Sequence, residues 1–163
     1  MKPIYIATTT INKPTDALRK FSKMKNFKLI VALDKNSKKF HLNNTIVLTT
    51  RLQEKKWPKL SKLIGWNCVA RRNFAILEAF QRGADVIALV DDDNIPLNNW
   101  GKKIFIDKTI KKKFIKTNKK IFDPIGYAGY KNLWHRGFPL EMINARKYFS
   151  DQKMNQSATT IEQ

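Results

Sequence analysis

The chain has 163 residues and a formal net charge of +19, and 42% of its residues are hydrophobic, which indicates a globular domain rather than a disordered chain. The single cysteine excludes an internal disulfide and a cysteine-based zinc site, and no apolar run approaches the roughly 20 residues of a membrane-spanning helix. The amino-terminal stretch becomes polar too quickly for a secretory signal, so the expected location is cytoplasmic.

Strand and helix patterns alternate over residues 3–90. "KPIYIATTT" predicts a first strand that ends in threonines, and "KPTDALRKFSKMKN" predicts a helix. "FKLIVALDKNS" predicts a second strand that ends in Asp34, and "TIVLTT" predicts a short third strand. "WPKLSKLIGWN" fits either a short helix or a loop.

The clearest predicted helix lies in "NCVARRNFAILEAFQRG", where Gly83 stands at the position that glycine favours after a helix. Its predicted apolar face consists of Val69, Asn73, Ile76, Leu77 and Phe80. "ADVIALV" then predicts a strand buried on both faces of a parallel sheet. The order of elements predicts an α/β fold with a mainly parallel sheet flanked by helices.

The pattern weakens after Trp100. "KKIFIDKTIKKKFIKTNKKIF" alternates apolar residues with lysines and favours short strands or a hairpin. "DPIGYAGYKNLWHRGFPLEMI" has the composition of an ordered loop that lines a site. With no linker between domains, we expect a single domain over residues 1–149 and a frayed polar tail over residues 150–163.

Polar residues follow three of the predicted strands. Thr8 and Thr9 belong to the end of the first strand, Asp34 follows the second, and residues 91–93 follow the strand in "ADVIALV". In open α/β sheets, ligands bind at the carboxyl ends of the strands. We therefore expect these residues to gather at one edge of the sheet.

Three aspartates in one turn repel one another unless a cation offsets their charge. Asp91 and Asp93 present hard oxygen atoms of the kind that Mg²⁺ or Mn²⁺ prefers, and Asp92 between them is placed to orient a sugar hydroxyl or a water. The turn therefore predicts a metal site. A solvated acidic turn is the alternative.

The helix before the acidic turn carries Arg71, Arg72 and Asn73. An arginine near the edge of the sheet binds a diphosphate through paired hydrogen bonds. Successive helical residues point about 100° apart, so these three residues do not share one side. For either arginine alone, a solvated basic face is the alternative.

Three stretches of the chain resemble the STELLO-type glycosyltransferases, which belong with the GT-A nucleotide-sugar transferases. "RRNFAILEAFQRGADVIALVDDDNIP" is similar to that family's Lys/Arg-Asn helix, strand and acidic turn. "YIATTTINKPTDALRKFSKMKNFKLIVALD" is similar to its opening strand, Pro-Thr helix and second strand ending in Asp. "LWHRGFPLEMI" resembles its Trp-Pro-Arg-Gly-x-Pro-Leu-Glu segment. Together they cover residues 3–143 in the expected order.

The resemblance implies a GT-A-like, Rossmann-like mixed sheet flanked by helices. It also implies transfer of a sugar from a nucleotide-diphosphate-sugar donor to a glycan, lipid or protein acceptor. Asp91 and Asp93 would hold Mn²⁺ or Mg²⁺, and Arg136 and Glu141 would close the acceptor side. The donor side would consist of Thr8, Thr9, Asp34, Arg71, Arg72, Asn73 and Asp92.

An inverting transferase needs a carboxylate that accepts the acceptor's proton. Glu141 and Asp123 are available in the loop-rich half, and Glu141 is preferred, although an ion pair with Arg136 is an alternative role for it. Trp134, beside Arg136, is the preferred aromatic residue for stacking on a sugar ring. A retaining mechanism stays open.

The segment 102–120 suggests a rival function, because its lysines alternate with phenylalanines in the way that single-strand nucleic-acid binders use. Its lysines are Lys102, Lys103, Lys108, Lys111, Lys112, Lys113, Lys116, Lys119 and Lys120. A solvated face is the simpler interpretation. In a transferase, the same segment would contact an anionic membrane or polysaccharide, which predicts a peripheral membrane location. Further alternatives are a metal-dependent phosphohydrolase and an inactive GT-A-like binding module.

Overall fold

The structure, a computed structural model, describes residues 4–102, 110–115, 120–130, 132–144, 146 and 156–161. The chain divides into two compact units, Met1–Lys102 and Lys103–Gln163. No helix in these described ranges has both the length and the apolar character needed to cross a bilayer.

The first unit contains a parallel sheet of four strands in the order β3-β2-β1-β4. The strands are β1 (Ile4–Thr10), β2 (Phe27–Leu33), β3 (Thr45–Leu48) and β4 (Val86–Leu89). β1 pairs with β2 over its whole length and with β4 on its other side. The predicted α/β fold with a parallel sheet flanked by helices is confirmed, and this topology is compatible with a Rossmann-like fold.

Four helices accompany this sheet: α1 (Asp16–Ser22), α2 (Thr50–Lys56), α3 (Pro58–Ile64) and α4 (Arg72–Gln81). A 3₁₀ turn, Val69–Arg71, leads directly into α4. The Thr49 hydroxyl caps α2, a helix that the sequence patterns did not predict because charged residues dominate its short length. α4 ends at Gln81, and Gly83 two residues later has a φ of 73°, a left-handed conformation that costs glycine little.

Alternate residues of the strands pack against helices on opposite faces of the sheet. Tyr5 and Ala7 face the core that contains α4, whereas Ile6 faces the core that contains α1. The first core consists of Tyr5, Ala7, Ile30, Ala32, Leu48, Phe74, Ala75 and Ala79. The second consists of Ile6, Ala17, Leu18, Phe21, Leu29, Val31, Leu33 and Val90. This two-residue alternation is the pattern of a sheet covered on both faces.

The predicted apolar face of α4 is correct for Ile76, which packs against the first core, but wrong for the two apolar residues at its ends. Val69 and Phe80 are 65% and 73% exposed. The buried residues of the helix are Phe74, Ala75, Glu78 and Ala79. Their spacing is helical, and the two alanines allow the helix to lie close to β1 and β2. Close approach of small side chains therefore selected a different face from the one with the largest apolar residues.

The prediction that β4 is buried on both faces is also wrong. Within the described residues, β4 lies at one end of the sheet order and pairs only with β1. Val86, Ile87 and Ala88 are half-buried, and Leu89 is 55% exposed. A strand at the edge of a sheet has a neighbour on one side only, so its side chains are less covered than those of a central strand. The apolar run in the sequence did not distinguish these two positions.

The second unit contains β5 (Ile110–Ile115) and β6 (Gln156–Ile161), which pair in the antiparallel direction. β6 lies in the stretch that was expected to be a frayed polar tail. The unit also contains the short helix α5 (Pro124–Tyr127) and a 3₁₀ turn, Leu140–Met142.

Candidate functional site

A cavity of about 340 Å³ opens at the carboxyl ends of β1, β2 and β4. β1 is the point at which the sheet order reverses, because β2 and β3 lie on one side of it and β4 on the other. α1 and α4 cover opposite faces, and ligands of open α/β sheets bind in the crevice at such a reversal. The lining residues are Thr8, Thr9, Thr10, Ile11, Asp34, Asn67, Cys68, Val69, Arg72, Asp91, Asp92 and Asp93.

The cavity brings together residues from three separate predicted strand ends and from the helix before β4. The predicted site residues among its lining are Thr8, Thr9, Asp34, Arg72, Asp91, Asp92 and Asp93. Arg71 is fully buried and Asn73 is exposed, and neither lines the cavity. Of the three helix residues predicted for the donor side, Arg72 therefore lines the cavity and its two neighbours in the sequence do not.

Arg72 forms an ion pair with Asp91 across the mouth of the cavity. Its Nη1 lies 2.9 Å from Asp91 Oδ1 and 3.4 Å from the carbonyl oxygen of Val90. The side chains are 26% and 61% exposed, respectively, so water reaches both partners. Arg72 is the first residue of α4, and this position places its guanidinium beside the acidic turn that follows β4.

Asp92 connects the acidic turn to the loop between β1 and α1. Its Oδ2 accepts hydrogen bonds from the Thr10 hydroxyl and from Asn12 Nδ2, the latter at 3.1 Å. The Thr15 hydroxyl donates to the backbone carbonyl of Asp92 and also accepts from the amide of Leu18, which caps α1. Asp92 therefore orients the turn that carries its two neighbours.

Asp34 is only 2% exposed, and backbone amides occupy both of its carboxylate oxygens. Oδ1 accepts from the amide of Lys35 at 2.6 Å, and Oδ2 accepts from the amide of Cys68 at 3.3 Å. These bonds fasten the segment before α4 to the end of β2. Thr9 is fixed in a similar way, because its hydroxyl donates to the carbonyl of Ala32 at 2.8 Å.

Arg71 belongs to the interior instead of the cavity. Nη2 donates to Gln53 Oε1 at 2.7 Å, and Nη1 donates to Ser61 Oγ at 3.1 Å and to the carbonyl of Gly65 at 3.0 Å. Its guanidinium lies 3.6 Å from the centroid of the Trp66 ring. Burial lowers the pKa of Arg71, and the nearby negative charge of Asp34 opposes that shift.

Several cavity residues were not predicted from the sequence. Cys68 is half-buried and lines the cavity beside Asn67. Asn67 has a φ of 57°, a left-handed conformation that asparagine tolerates better than most residues. The sequence Gly65-Trp66-Asn67 indicates irregular backbone, but only the fold brings the end of this turn next to Asp34.

The acidic turn supplies hard carboxylate oxygens, which suit Mg²⁺ or Mn²⁺. Within the described ranges, no three His, Cys, Asp or Glu side chains are grouped to hold a metal ion on their own. Mg²⁺ at phosphate sites commonly uses one or two carboxylates and completes its coordination with phosphates and water. A cation at Asp91 and Asp93 would therefore need further ligands from phosphate or water, because the described side chains do not complete its coordination.

The residues predicted for the acceptor side lie in the second unit. Trp134 is 46% exposed, and Arg136 and Glu141 are also exposed. Asp123, the other candidate base, is buried and accepts from the amide of Gly126 at 3.0 Å and from Arg146 Nε at 2.6 Å. Burial alone would raise the pKa of Asp123, but these hydrogen bonds and the charge of Arg146 lower it, which makes Asp123 a weak base.

The lysine-rich segment of the rival function is only partly covered, since Lys103, Lys108, Lys116 and Lys119 lie outside the described residues. No known family model matches the chain, and no curated protein shows significant similarity to it. The fold and cavity define an α/β protein with a polar site at the carboxyl edge of a parallel sheet. The resemblance to STELLO-type glycosyltransferases stays a prediction based on the sequence stretches quoted above.

Proposed function

We propose that the protein is a metal-dependent glycosyltransferase of GT-A type that binds a nucleotide-diphosphate sugar in this cavity. One observation carries the proposal: a chain of net charge +19 gathers three aspartates and an arginine around a cavity at the reversal point of its sheet. A diphosphate with its cation needs both signs of charge in one place.

The proposal divides the cavity between the two parts of the donor. Asp34, Asn67 and Thr9 lie at the β2 side, where rigid polar groups suit a nucleoside. Asp91 and Asp93 lie at the β4 side and would hold the cation, while Arg72 would bind the diphosphate. When bound, Mn²⁺ or Mg²⁺ offsets the negative charge that builds on the leaving diphosphate.

The remaining roles follow the resemblance rather than the cavity. Glu141 would accept the proton of the acceptor hydroxyl, and Trp134 and Arg136 would contact the acceptor. Asp123 is the weaker choice of base because its carboxylate already accepts two hydrogen bonds. An anionic acceptor or membrane surface would suit the basic charge of the chain.

The test is calorimetric titration of UDP and GDP with and without Mn²⁺ into the wild type and an Asp91→Asn, Asp93→Asn variant. We expect metal-dependent binding of one nucleotide, and a loss of about tenfold or more in affinity in the variant, because charged hydrogen-bonding groups contribute about 1.5–3 kcal/mol each. A screen of nucleotide sugars and acceptors would follow.

The matched control is a Glu54→Gln, Asp85→Asn variant, which removes the same charge from exposed positions outside the cavity lining. It should bind the nucleotide as the wild type does. If binding ignores both the metal and the aspartates, it reflects general attraction of phosphate to a basic surface, and the proposed function is wrong.

A further inference from the structure

The ion pair between Arg72 and Asp91 joins two groups that the proposed function assigns to different parts of the ligand. Asp91 is a proposed cation ligand and Arg72 a proposed diphosphate ligand, yet their side chains lie 2.9 Å apart. One guanidinium nitrogen thus occupies an oxygen of the carboxylate that would also hold a metal ion. The positive charge of Arg72 therefore already offsets the charge of Asp91 in this structure.

We infer that Arg72 is an exchangeable counter-ion of Asp91, so that a divalent cation and a nucleotide diphosphate bind this cavity cooperatively. A cation that binds alone has to displace Arg72 from Asp91. A diphosphate that binds alone has to draw Arg72 away and then faces the uncompensated carboxylates of the acidic turn. When both bind, Asp91 exchanges Arg72 for the cation and Arg72 exchanges Asp91 for the diphosphate.

The surroundings of Arg72 allow this exchange. Its side chain is partly exposed, and water has access to its ion pair with Asp91. Its hydrogen bond to the carbonyl of Val90 is long, at 3.4 Å. Arg71, by comparison, is fully buried and donates to Gln53, Ser61 and Gly65. Breaking a partly exposed ion pair costs little, so Arg72 can change partners where Arg71 cannot.

The neighbouring carboxylate explains why Asp91 is the residue that changes partner. Asp92 accepts hydrogen bonds from Thr10 and Asn12, two neutral donors of the loop between β1 and α1. Those donors are neutral and do not repel a metal ion. Arg72 is positively charged and does repel one, so its position beside Asp91 lowers the affinity of the turn for a cation.

The nucleotide half of this inference rests on the proposed function, whereas the metal half is tested without nucleotide. The experiment titrates Mn²⁺ alone into the wild type and into Arg72→Ala. Calorimetry and the paramagnetic resonance signal of free Mn²⁺ both measure the binding. We expect the variant to bind Mn²⁺ about threefold more tightly, since it lacks the competing guanidinium of a partly exposed pair.

Titration of UDP in saturating Mn²⁺ should show the opposite effect in Arg72→Ala, a loss of about tenfold in affinity, since a charged hydrogen-bond donor to the diphosphate is missing. The factor by which Mn²⁺ raises UDP affinity should also fall, and by linkage UDP should raise Mn²⁺ affinity by an equally reduced factor. Opposite signs for metal and nucleotide are the specific signature of an exchanging counter-ion.

Arg82→Ala is the matched control. Arg82 follows the opposite end of α4, pairs with Glu78 at 2.7 Å, and carries the same charge. It should leave both affinities within about twofold of the wild type, because surface charges at a distance are largely screened. An equal gain in Mn²⁺ affinity in Arg82→Ala would mean that net charge alone is responsible, which would overturn the inference.

Two other outcomes separate this inference from the proposed function. If Mn²⁺ binds the wild type and Arg72→Ala equally, or binds neither, the counter-ion role of Arg72 is wrong. If Arg72→Ala gains Mn²⁺ affinity but the wild type binds neither UDP nor GDP, the metal half of the inference stands and the assignment of a nucleotide donor is wrong.

Discussion

Arg71 and Arg72 are adjacent in the sequence, yet they belong to two different regions of the first unit. Arg71 enters the interior and binds Gln53, which in turn donates to the carbonyls of Leu33 and Leu48 at the ends of β2 and β3. Arg72 reaches the cavity and pairs with Asp91. A step of one residue turns the side-chain direction by about 100°, and here it separates a residue that holds the fold together from one that lines the cavity.

The same contrast holds for the carboxylates. Glu78 is 2% exposed and pairs with Lys56 at 2.5 Å and with Arg82 at 2.7 Å. Asp91 and Asp93 are exposed at the mouth of the cavity. Interior polar groups must find partners within the protein because water does not reach them, whereas cavity groups can exchange partners with a ligand. Substitutions in the two regions should consequently affect different properties.

The largest effect is expected for Arg71→Ala. This change leaves the Gln53 amide oxygen without its donor and empties space beside Trp66 and Phe74. It should lower the free energy of unfolding by about 3 kcal/mol, the sum expected for an unsatisfied buried group and a cavity. Urea denaturation measures this loss. Arg72→Ala is the comparison and should cost less than about 1 kcal/mol; equal losses would contradict the division into two regions.

A smaller effect that depends on pH is expected for Glu78→Gln. Burial alone would raise the pKa of Glu78, but hydrogen bonds from Lys56 and Arg82 hold it below its ordinary value. At pH 7 the substitution should lower the free energy of unfolding by about 1.5 kcal/mol, because half-exposed partners make such bonds weaker than fully buried ones.

A depressed native pKa stabilises the fold fully above the unfolded glutamate pKa of about 4.3, and this stabilisation is lost as the pH falls through the native value. The difference between wild type and Glu78→Gln should therefore shrink below about pH 4. Urea denaturation at pH 7, 5 and 3.5 follows this change. A difference that stays constant over this range would show that the charge of Glu78 is not what stabilises α4.

The smallest effect on stability is expected for Asp93→Asn. Asp93 is exposed at the cavity, so the free energy of unfolding should change by less than about 0.5 kcal/mol. If Asp93 is a cation ligand, the same variant should lose about tenfold in Mn²⁺-dependent UDP affinity. A substantial loss of stability without any change in affinity would place Asp93 with the interior residues and contradict its assignment to the cavity.

Local pattern determined much of the first unit. Alternating and continuous apolar runs predicted β1, β2, β3 and β4, and the polar residues after those strands predicted which side chains would gather at one edge. These predictions succeed because parallel strands place their carboxyl ends together whatever the details of packing. Asp34 and the aspartates at 91–93 were identified in this way as residues of one edge.

Other features depended on contacts between distant segments. Side-chain size placed Phe80 on the predicted inner face of α4, but Ala75 and Ala79 face the sheet because they permit close approach. α2 was missed because charged residues dominate its short sequence; in the fold the Thr49 hydroxyl caps it, and Gln53 donates to the carbonyls of Leu33 and Leu48. Cys68 lies at the cavity beside Asp34, whose carboxylate accepts from its backbone amide, although the two residues are 34 positions apart in the sequence.

The sequence by itself therefore determined the four strands of the parallel sheet, the main helix and the edge at which the cavity opens, since these follow from periodicity and from the geometry of a parallel sheet. Only the tertiary structure decided the roles within that edge. Arg71 and Arg72 have the same chemistry, and Asp91 and Asp92 have the same chemistry, so pattern cannot distinguish them. Their roles differ because the fold surrounds one member of each pair with partners of its own and leaves the other beside the cavity, in an ion pair that water and ligands can reach.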